Sequence, residues 1–378
     1  MRVLKYTLIL ILFFDTYISA QDAELASAGS MTLPADAAAG AEAEPEEGSK
    51  LPFEVSGFVD VYYAYSFSDE FPSLTTRPLP TSFTETTNSF SLGMANLAFS
   101  REEGKVGFMA DLAVGPRAEV ANGFSGTTLA AIKQLYVTYS PVDWLTLTLG
   151  NYGTHVGYEV IDAPANINYS TSYMFSNGPF YHTGLKADFA LSENFGAMVG
   201  LFDDTDSKFD FTPGKHVGAQ LSYADETVGL YLNYLGGKDV EGDSLASDVS
   251  GHQVDLTATF QLTDELGLGV NATSKTNAVA EGDNTSWFGA ALYANYAFSD
   301  LFTLGLRGEY IGDPDGEILG AADGNVLSLT ASGNFHIGAL TIIPEFRVDH
   351  ASNEVFPDES GKLTNSLPAV LVAAVYSF

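Results

Sequence analysis

The sequence predicts an all-β fold whose strands form a transmembrane antiparallel β-barrel of about 16 strands, preceded by a disordered acidic segment. Three observations lead to this prediction. From Phe53 onward, apolar and polar residues alternate at period two in segments of about ten residues, the length that tilted strands need to cross a bilayer core of about 25 Å. The connections between segments are alternately short and long, and aromatic residues gather beside the short ones.

The alternation is clearest between Gln253 and Thr263. One face of this segment consists of valine, leucine, alanine and phenylalanine, and the other consists of glutamine, aspartate and threonine. The segments 216–223 and 328–337 sort in the same way. The segment 89–100 changes phase midway, which indicates a β-bulge or a different register there.

The connections distinguish a membrane barrel from a soluble β-sandwich, since both alternate along their strands. The short connections fall at 101–105, 140–144, 192–194, 224–226, 263–265, 299–301 and Gly338. The long connections fall at 68–87, 116–130, 153–179, 203–214, 236–250, 276–284, 313–324 and 351–365. Seven short and eight long connections join sixteen strands, with turns at one rim and loops at the other, which is typical of an outer-membrane barrel.

The residues before the barrel divide into two parts. Arg2 and Lys5 precede the apolar run 8–14, and the small residues Ser19 and Ala20 follow it, so residues 1–20 are predicted to be a signal peptide that is cleaved near Ala20. Residues 21–52 are rich in alanine and glutamate and have little to bury, so we expect a disordered acidic periplasmic lead-in. The barrel is expected to comprise residues 53–378.

Composition excludes several classes of function. The chain has 48 acidic and 16 basic residues among 378, a formal charge of −32, so it would repel nucleic acid. It contains no cysteine, and its six histidines form no HExxH pair, so we expect no metal site and no cofactor. No Gly-x-Ser-x-Gly element is present, and we do not expect an enzyme.

Two stretches carry a family resemblance. Residues 149–185, which begin Leu-Gly-Asn-Tyr-Gly, and the first predicted strand from Gly57 to Tyr63 resemble the OmpL-like β-barrel porin family of Gram-negative bacteria. The resemblance extends over 53–378 and implies an outer-membrane channel for the passive diffusion of small hydrophilic solutes and ions.

The loop 153–179 is the candidate site, because general porins fold the loop at this position into the barrel and so narrow the pore. Its acids Glu159 and Asp162 would then lie at the pore constriction. The bases that could face them across the pore are Arg117, Lys186, Arg307 and Arg347. Crossed acids and bases would create a transverse field that filters charged solutes. The alternative is that both acids are ordinary exposed loop charges.

The polar phase of the strands predicts the ion preference. It carries eight acids against five bases, so the channel should prefer cations mildly. The acids are Glu54, Asp60, Asp111, Asp188, Asp255, Glu309, Glu345 and Asp349, and the bases are Lys105, Lys186, Lys275, Arg307 and Arg347.

The expected partners follow from the outer-membrane location. They are membrane lipid and lipopolysaccharide, and the barrel assembly machinery, which would read a final strand that ends on Phe378. Whether three barrels associate into a homotrimer is left open. A second hypothesis is a surface-exposed structural barrel or adhesin whose acidic loops bind partners and whose lumen is closed.

Overall fold

The computed structural model describes residues 53–67, 79–84, 86–123, 128–210, 214–240, 248–279, 283–357 and 362–378. The predicted signal peptide, 1–20, and the whole of the predicted lead-in, 21–52, lie outside these residues, as do parts of several long connections.

Sixteen strands form a closed antiparallel barrel, which confirms the predicted fold class. The barrel strands are β1 (Glu54–Ser66), β2 (Ser89–Glu103), β3 (Val106–Val114), β4 (Ile132–Val142), β5 (Leu145–Gly153), β6 (Tyr181–Ala190), β7 (Phe195–Phe202), β8 (His216–Ala224), β9 (Val228–Val240), β10 (Asp248–Gln261), β11 (Leu266–Val279), β12 (Thr285–Ser299), β13 (Phe302–Asp313), β14 (Gly324–Ile337), β15 (Leu340–Ala351) and β18 (Ser366–Ser377). Between the last two, β16 (Phe356–Pro357) and β17 (Leu363–Thr364) form a separate small hairpin.

Each barrel strand pairs with its neighbours in the barrel, and β1 closes it by pairing with β18 from Phe58↔Ser377 to Ser66↔Ala369. Closure leaves no unpaired sheet edge, which a membrane-spanning sheet requires because lipid offers no hydrogen bonds.

The two faces of the strands differ as the alternation predicts. On β10, Val254 is 50% exposed and Leu256 is 42% exposed, whereas Gln253 and Asp255 are buried in the barrel interior. Ala258 shares the phase of the two apolar residues but is buried. The apolar phase therefore lies on the outer surface, where it contacts lipid.

The irregular segment in β2 is a β-bulge, as one of the two interpretations predicted. The register between β1 and β2 shifts between Val59 and Val61, so that Gly93 and Met94 both lie opposite Asp60. The Asp60 carboxylate accepts a hydrogen bond from the Met94 backbone N–H at 2.7 Å, and a Cβ at position 93 would overlap that carboxylate. The bulge thus lets the inward-facing Asp60 carboxylate bond to the β2 backbone.

The short connections lie at one rim, called the turn rim, and the long ones at the other, the loop rim. The predicted long connection 236–250 is shorter than expected because β9 extends to Val240 and β10 begins at Asp248. Exposed aromatic residues such as Trp144, Phe195 and Phe298 lie beside the turns, as expected of an interfacial girdle.

Short helical segments occur in two of the long connections. Helix α1 (Pro116–Asn122) and a 3₁₀ turn (Thr128–Ala131) lie between β3 and β4. A 3₁₀ turn (Ala163–Ala165) and helix α2 (Tyr173–Ser176) lie between β5 and β6. In the part of the chain that the structure describes, no helix is long and apolar enough to cross a membrane.

One sector of the barrel interior is packed with apolar side chains. Leu371 and Val375 of β18 point inward and form a buried cluster with Phe83, Tyr169 and Phe175, which come from two long loops. The barrel interior is therefore partly filled by loop segments.

Candidate functional site

The β5–β6 loop, residues 154–180, folds into the barrel. Side chains within the loop fix its shape: the Asn166 amide bonds to both the N–H and the carbonyl of Val160, and Ser172 caps α2 by accepting from the Phe175 N–H at 3.0 Å. Gly150 lies three residues before the end of β5, and its φ of 141° and close approach to the Leu135 carbonyl leave no room for a side chain.

The path of the loop crosses the lumen. The Gly157 N–H donates to Asp255 of β10 at 3.1 Å, and the Tyr158 ring stacks on Tyr293 of β12 with centroids 4.1 Å apart. Further along, the Tyr169 N–H donates to Glu345 of β15 at 2.7 Å. The loop therefore contacts well-separated parts of the barrel wall.

Strands β13, β14 and β15, called the clamp wall, hold the loop through its backbone. The Glu309 carboxylate accepts from the N–H groups of Tyr173 and Met174 at 2.9 and 2.8 Å. Glu345 accepts from Tyr169, as above, and from Ser170 at 3.1 Å. The two wall carboxylates thus accept from four backbone N–H groups of the loop. Hydrogen bonds to a charged acceptor are among the stronger hydrogen bonds in proteins.

Two arginines of the clamp wall bond to the carbonyls of the same loop segment. Arg307 donates to the Ser170 carbonyl at 2.6 Å and to the Glu159 carboxylate at 2.5 Å. Arg347 donates to the Thr171 carbonyl at 2.8 Å and pairs with Asp349 at 2.9 Å. Both guanidinium groups are buried, so their charges are compensated inside the protein rather than by water.

Arg117 of α1 joins three loops. Its guanidinium lies 4.8 Å from the ring centroids of both Phe83 and Tyr169, and Nη1 donates to the Ile161 carbonyl at 3.0 Å. It is fully buried, 3.8 Å from the Asp60 carboxylate. Its planar guanidinium group therefore packs against two aromatic rings and also carries a buried positive charge.

Asp162 pairs with a base that the sequence analysis missed. Lys133 of β4 lies 2.5 Å from Asp162 and 2.7 Å from Asp111, and all three side chains are buried. Lys133 has the phase of the outward-facing Leu135, but the register of β3 and β4 shifts next to it and turns it inward.

The six residues that were predicted to form the constriction therefore have different kinds of partner in the structure. The structure brings Glu159 to Arg307, and Asp162 to Lys133 instead of to a predicted base. Arg117 and Arg347 bond to the loop backbone. Lys186 lies on β6 next to Asp188 at 3.4 Å and 5.3 Å from the Tyr152 ring centroid.

A second loop also enters the barrel, and the sequence analysis missed it. Residues 79–84 of the β1–β2 connection pack on the β5–β6 loop, where Ser82 donates through its N–H to the Ser176 hydroxyl and accepts from the Thr171 hydroxyl, both at 2.9 Å. The sequence of β18 does carry a sign of this packing. Its run 369–375 is apolar on both faces, as expected of a strand that is covered by lipid outside and by loop residues inside.

A cavity of about 360 Å³ lies between the β5–β6 loop and the opposite side of the barrel, strands β8 to β12, called the cavity wall. Its lining extends from Phe180 and Tyr181 near the loop rim to the β8–β9 turn at Asp225 and Glu226. The lining is mostly uncharged, with amides, hydroxyls and aromatic rings.

The charged groups of the lining are four acids and one base. Glu159, Asp162 and Lys133 lie at the loop, and Asp225 and Glu226 lie at the turn rim. The Tyr223 hydroxyl and the N–H groups of the turn donate to Asp225 and lower its pKa to about 2. Asp225 is therefore negatively charged at neutral pH.

The described residues contain no group of three or more histidine, aspartate or glutamate side chains that could hold a metal ion. The fold and the loop-lined interior instead define a porin-like outer-membrane β-barrel.

The comparison with protein families gives a narrower assignment. The family model described as "Putative beta-barrel porin-2, OmpL-like" matches residues 52–378, and the chain belongs to this family. The resemblance that residues 149–185 and the first strand carry is confirmed, and so is the location in the outer membrane.

Solved structures share the fold. The outer membrane channel DcaP of Acinetobacter baumannii has a TM-score of 0.60 and 14% identity over 86% of this chain and 97% of that chain. The anion-selective porin from Comamonas acidovorans has a TM-score of 0.59 and 11% identity over 86% and 99%. OmpT, an outer membrane protein of Vibrio cholerae, has 0.56 and 9% over 86% and 97%. No curated protein matches the chain.

Proposed function

We propose that the barrel is a water-filled channel through which small hydrophilic solutes and ions diffuse passively, with the β5–β6 loop narrowing the pore, and that it has no catalytic role. The observation that carries this proposal is the cavity beside the loop, because its lining extends from the loop rim to the β8–β9 turn. Porins combine such a lumen with an inserted loop and need no chemistry beyond the size and charge of the lining.

We further propose a mild preference for cations. The cavity lining carries Glu159, Asp162, Asp225 and Glu226 against Lys133, which supports a negative potential along the path. The two loop acids are each paired with a buried base, at 2.5 Å in both cases, so the preference should be modest.

Ion conductance tests the channel. Refolded full-length protein in planar bilayers should give stepwise currents, and a KCl gradient should give a reversal potential on the cation side. A complete absence of current would overturn the proposal and favour the closed structural barrel or adhesin.

Two double variants test the origin of selectivity. Glu159→Gln with Asp162→Asn should shift the reversal potential toward anions at all salt concentrations, because it leaves buried positive charge at the loop. Asp225→Asn with Glu226→Gln should shift it only at low salt, because exposed charges are screened. Deletion of residues 21–50 should leave it unchanged. A shift from the deletion alone would contradict the role of the loop.

The proposed partners are outer-membrane lipid, lipopolysaccharide and the barrel assembly machinery. Phe378 supports the last of these, since it is 60% exposed at the turn rim although its backbone pairs with Gly57. Assembly as a homotrimer is proposed by analogy with general porins, and cross-linking in native membranes would test it.

A further inference from the structure

The charged groups that line the loop side of the cavity have fixed partners, and Asp255 of β10 accepts from the neutral amides of Asn233 and Asn271. Lys133 is within 2.7 Å of two carboxylates, and Glu159 accepts from Arg307 at 2.5 Å and from the Ser172 N–H at 2.6 Å. An ion that entered there would have to compete with these bonds.

Apart from Asp225 and Glu226 at the turn, the polar side chains that the cavity wall contributes to the lining are amides and hydroxyls. They include Gln220, Asn233, Thr257, Thr259 and Asn295. Amides and hydroxyls each offer both donors and acceptors, which is also the property of a sugar or polyol hydroxyl.

Aromatic rings supply flat apolar surface in the same cavity. Tyr158 and Tyr231 line it, and Tyr158 is held in place because one ring face stacks on Tyr293. A sugar ring presents apolar C–H faces and a polar edge, and a tyrosine ring can contact both types of group.

The backbone of the cavity wall makes room for these side chains. A Cβ at Gly269 would overlap the Tyr158 hydroxyl, and a Cβ at Gly267 would overlap the Asn295 amide. Both glycines lie on β11 and let the ring and the amide lie close to the strand. The volume of about 360 Å³ lies at the small end of the range for ligand pockets.

We propose that this cavity is a binding site for a neutral, hydroxyl-rich solute of about hexose size, and that it selects such solutes over anionic ones of the same size. The inference rests on the proposed channel function, of which it names the solute class. Two probes match in size and differ in charge: glucose and gluconate.

Two measurements separate this inference from the proposed function. Saturation-transfer NMR on the refolded barrel in detergent micelles detects binding whether or not the barrel conducts. Planar-bilayer recordings detect conduction, and saturable reduction of the KCl current by glucose reports binding within the conducting path.

We expect saturable transfer to glucose and at least about fivefold weaker binding of gluconate. Tyr158→Ala and Asn295→Ala should each weaken glucose binding about fivefold. Tyr310→Ala is the control, because this ring lies on the outer surface and should leave binding unchanged.

Absence of saturable glucose binding would overturn the inference, and so would equal or tighter binding of gluconate. In either case a KCl current would still support the proposed channel function. Glucose binding without any current would support the site and contradict the channel.

Discussion

The clamp wall and the cavity wall belong to one barrel and have the same outer surface, yet their inner surfaces differ. On β13 to β15, arginine and glutamate side chains bond directly to the backbone of the β5–β6 loop. On β8 to β12, the inner side chains are mostly amides and hydroxyls that line an open cavity.

The difference shows that the barrel places its buried, paired charges where the wall holds the loop. Buried charges are costly unless each is paired and hydrogen-bonded, and the clamp wall meets this condition with loop groups from Glu159 to Met174. A charged network with many fixed partners holds a loop in one conformation, whereas uncharged polar groups leave a surface that can exchange water for solute.

The strongest test of this comparison removes one charge from the clamp wall. Arg307→Met leaves Glu159 buried without its base, so we expect a loss of about 3–5 kcal/mol in the free energy of unfolding and a noisier current from the released loop. Urea unfolding and single-channel recordings measure both effects. Adding Glu159→Gln should restore part of the stability.

The matched control on the cavity wall is Gln220→Leu. Gln220 donates to Asn233 at 2.7 Å, and removing one neutral bond should lower the free energy of unfolding by only about 1 kcal/mol. Equal losses for Arg307→Met and Gln220→Leu would mean that the two walls do not differ as described.

The second prediction concerns the outer surfaces, which should be equivalent. Leu329 lies on the outside of the clamp wall and Leu256 on the outside of the cavity wall, and both are nearly half exposed. An arginine at either position should lower the free energy of unfolding by about 2–4 kcal/mol near the bilayer centre. Folding yield in liposomes would measure this, and a large difference between the two variants would break the assumed equivalence.

Much of the fold could be predicted from the sequence because alternation reports directly on two environments, lipid outside and polar groups inside. The strand number follows from counting connections, and the bulge in β2 is visible as a change of phase. Lys133 shows the limit of this reasoning. The bulge beside it falls at the start of β4, where too few strand residues precede it to reveal the change of phase.

The site could be predicted only in outline. The position of the β5–β6 loop in the chain indicated which loop enters the barrel and which acids it carries. The partner of Glu159 is 148 residues away along the chain, so the pairing depends on the path of the loop through the lumen and not on any local pattern. The packing of 79–84 on this loop depends on tertiary contacts in the same way.

The third prediction compares how much space the inner surfaces of the two walls leave for a larger side chain. Thr257 of β10 lines the cavity, so Thr257→Arg should fold, fill part of the cavity and shift the reversal potential toward anions. Thr330 of β14 is buried and accepts from Arg307 at 3.1 Å, so Thr330→Arg should place like charges together and impair folding. Folding yield and reversal potential measure the two outcomes, and good folding of Thr330→Arg would show that the clamp wall has unrecognised space.

The smallest expected effect is a pH dependence where the β5–β6 loop returns to β6 beside the cavity. Asp206 accepts from the N–H groups of Phe180 and Tyr181 at 2.7 and 3.0 Å, and burial raises its pKa to about 6. Because this pKa lies above the unfolded value, the protonated form favours folding, and the contribution of Asp206 is complete below about pH 4 and lost as the pH rises through 6.

Asp206→Asn keeps an acceptor and removes the titration. The difference in thermal unfolding midpoint between the two proteins, measured by circular dichroism, should therefore change between about pH 4 and pH 7, with wild type losing stability relative to the variant. Other groups titrate equally in both proteins and cancel, so a difference that stays constant over this range would show that Asp206 does not titrate there and that the loop end is held independently of pH.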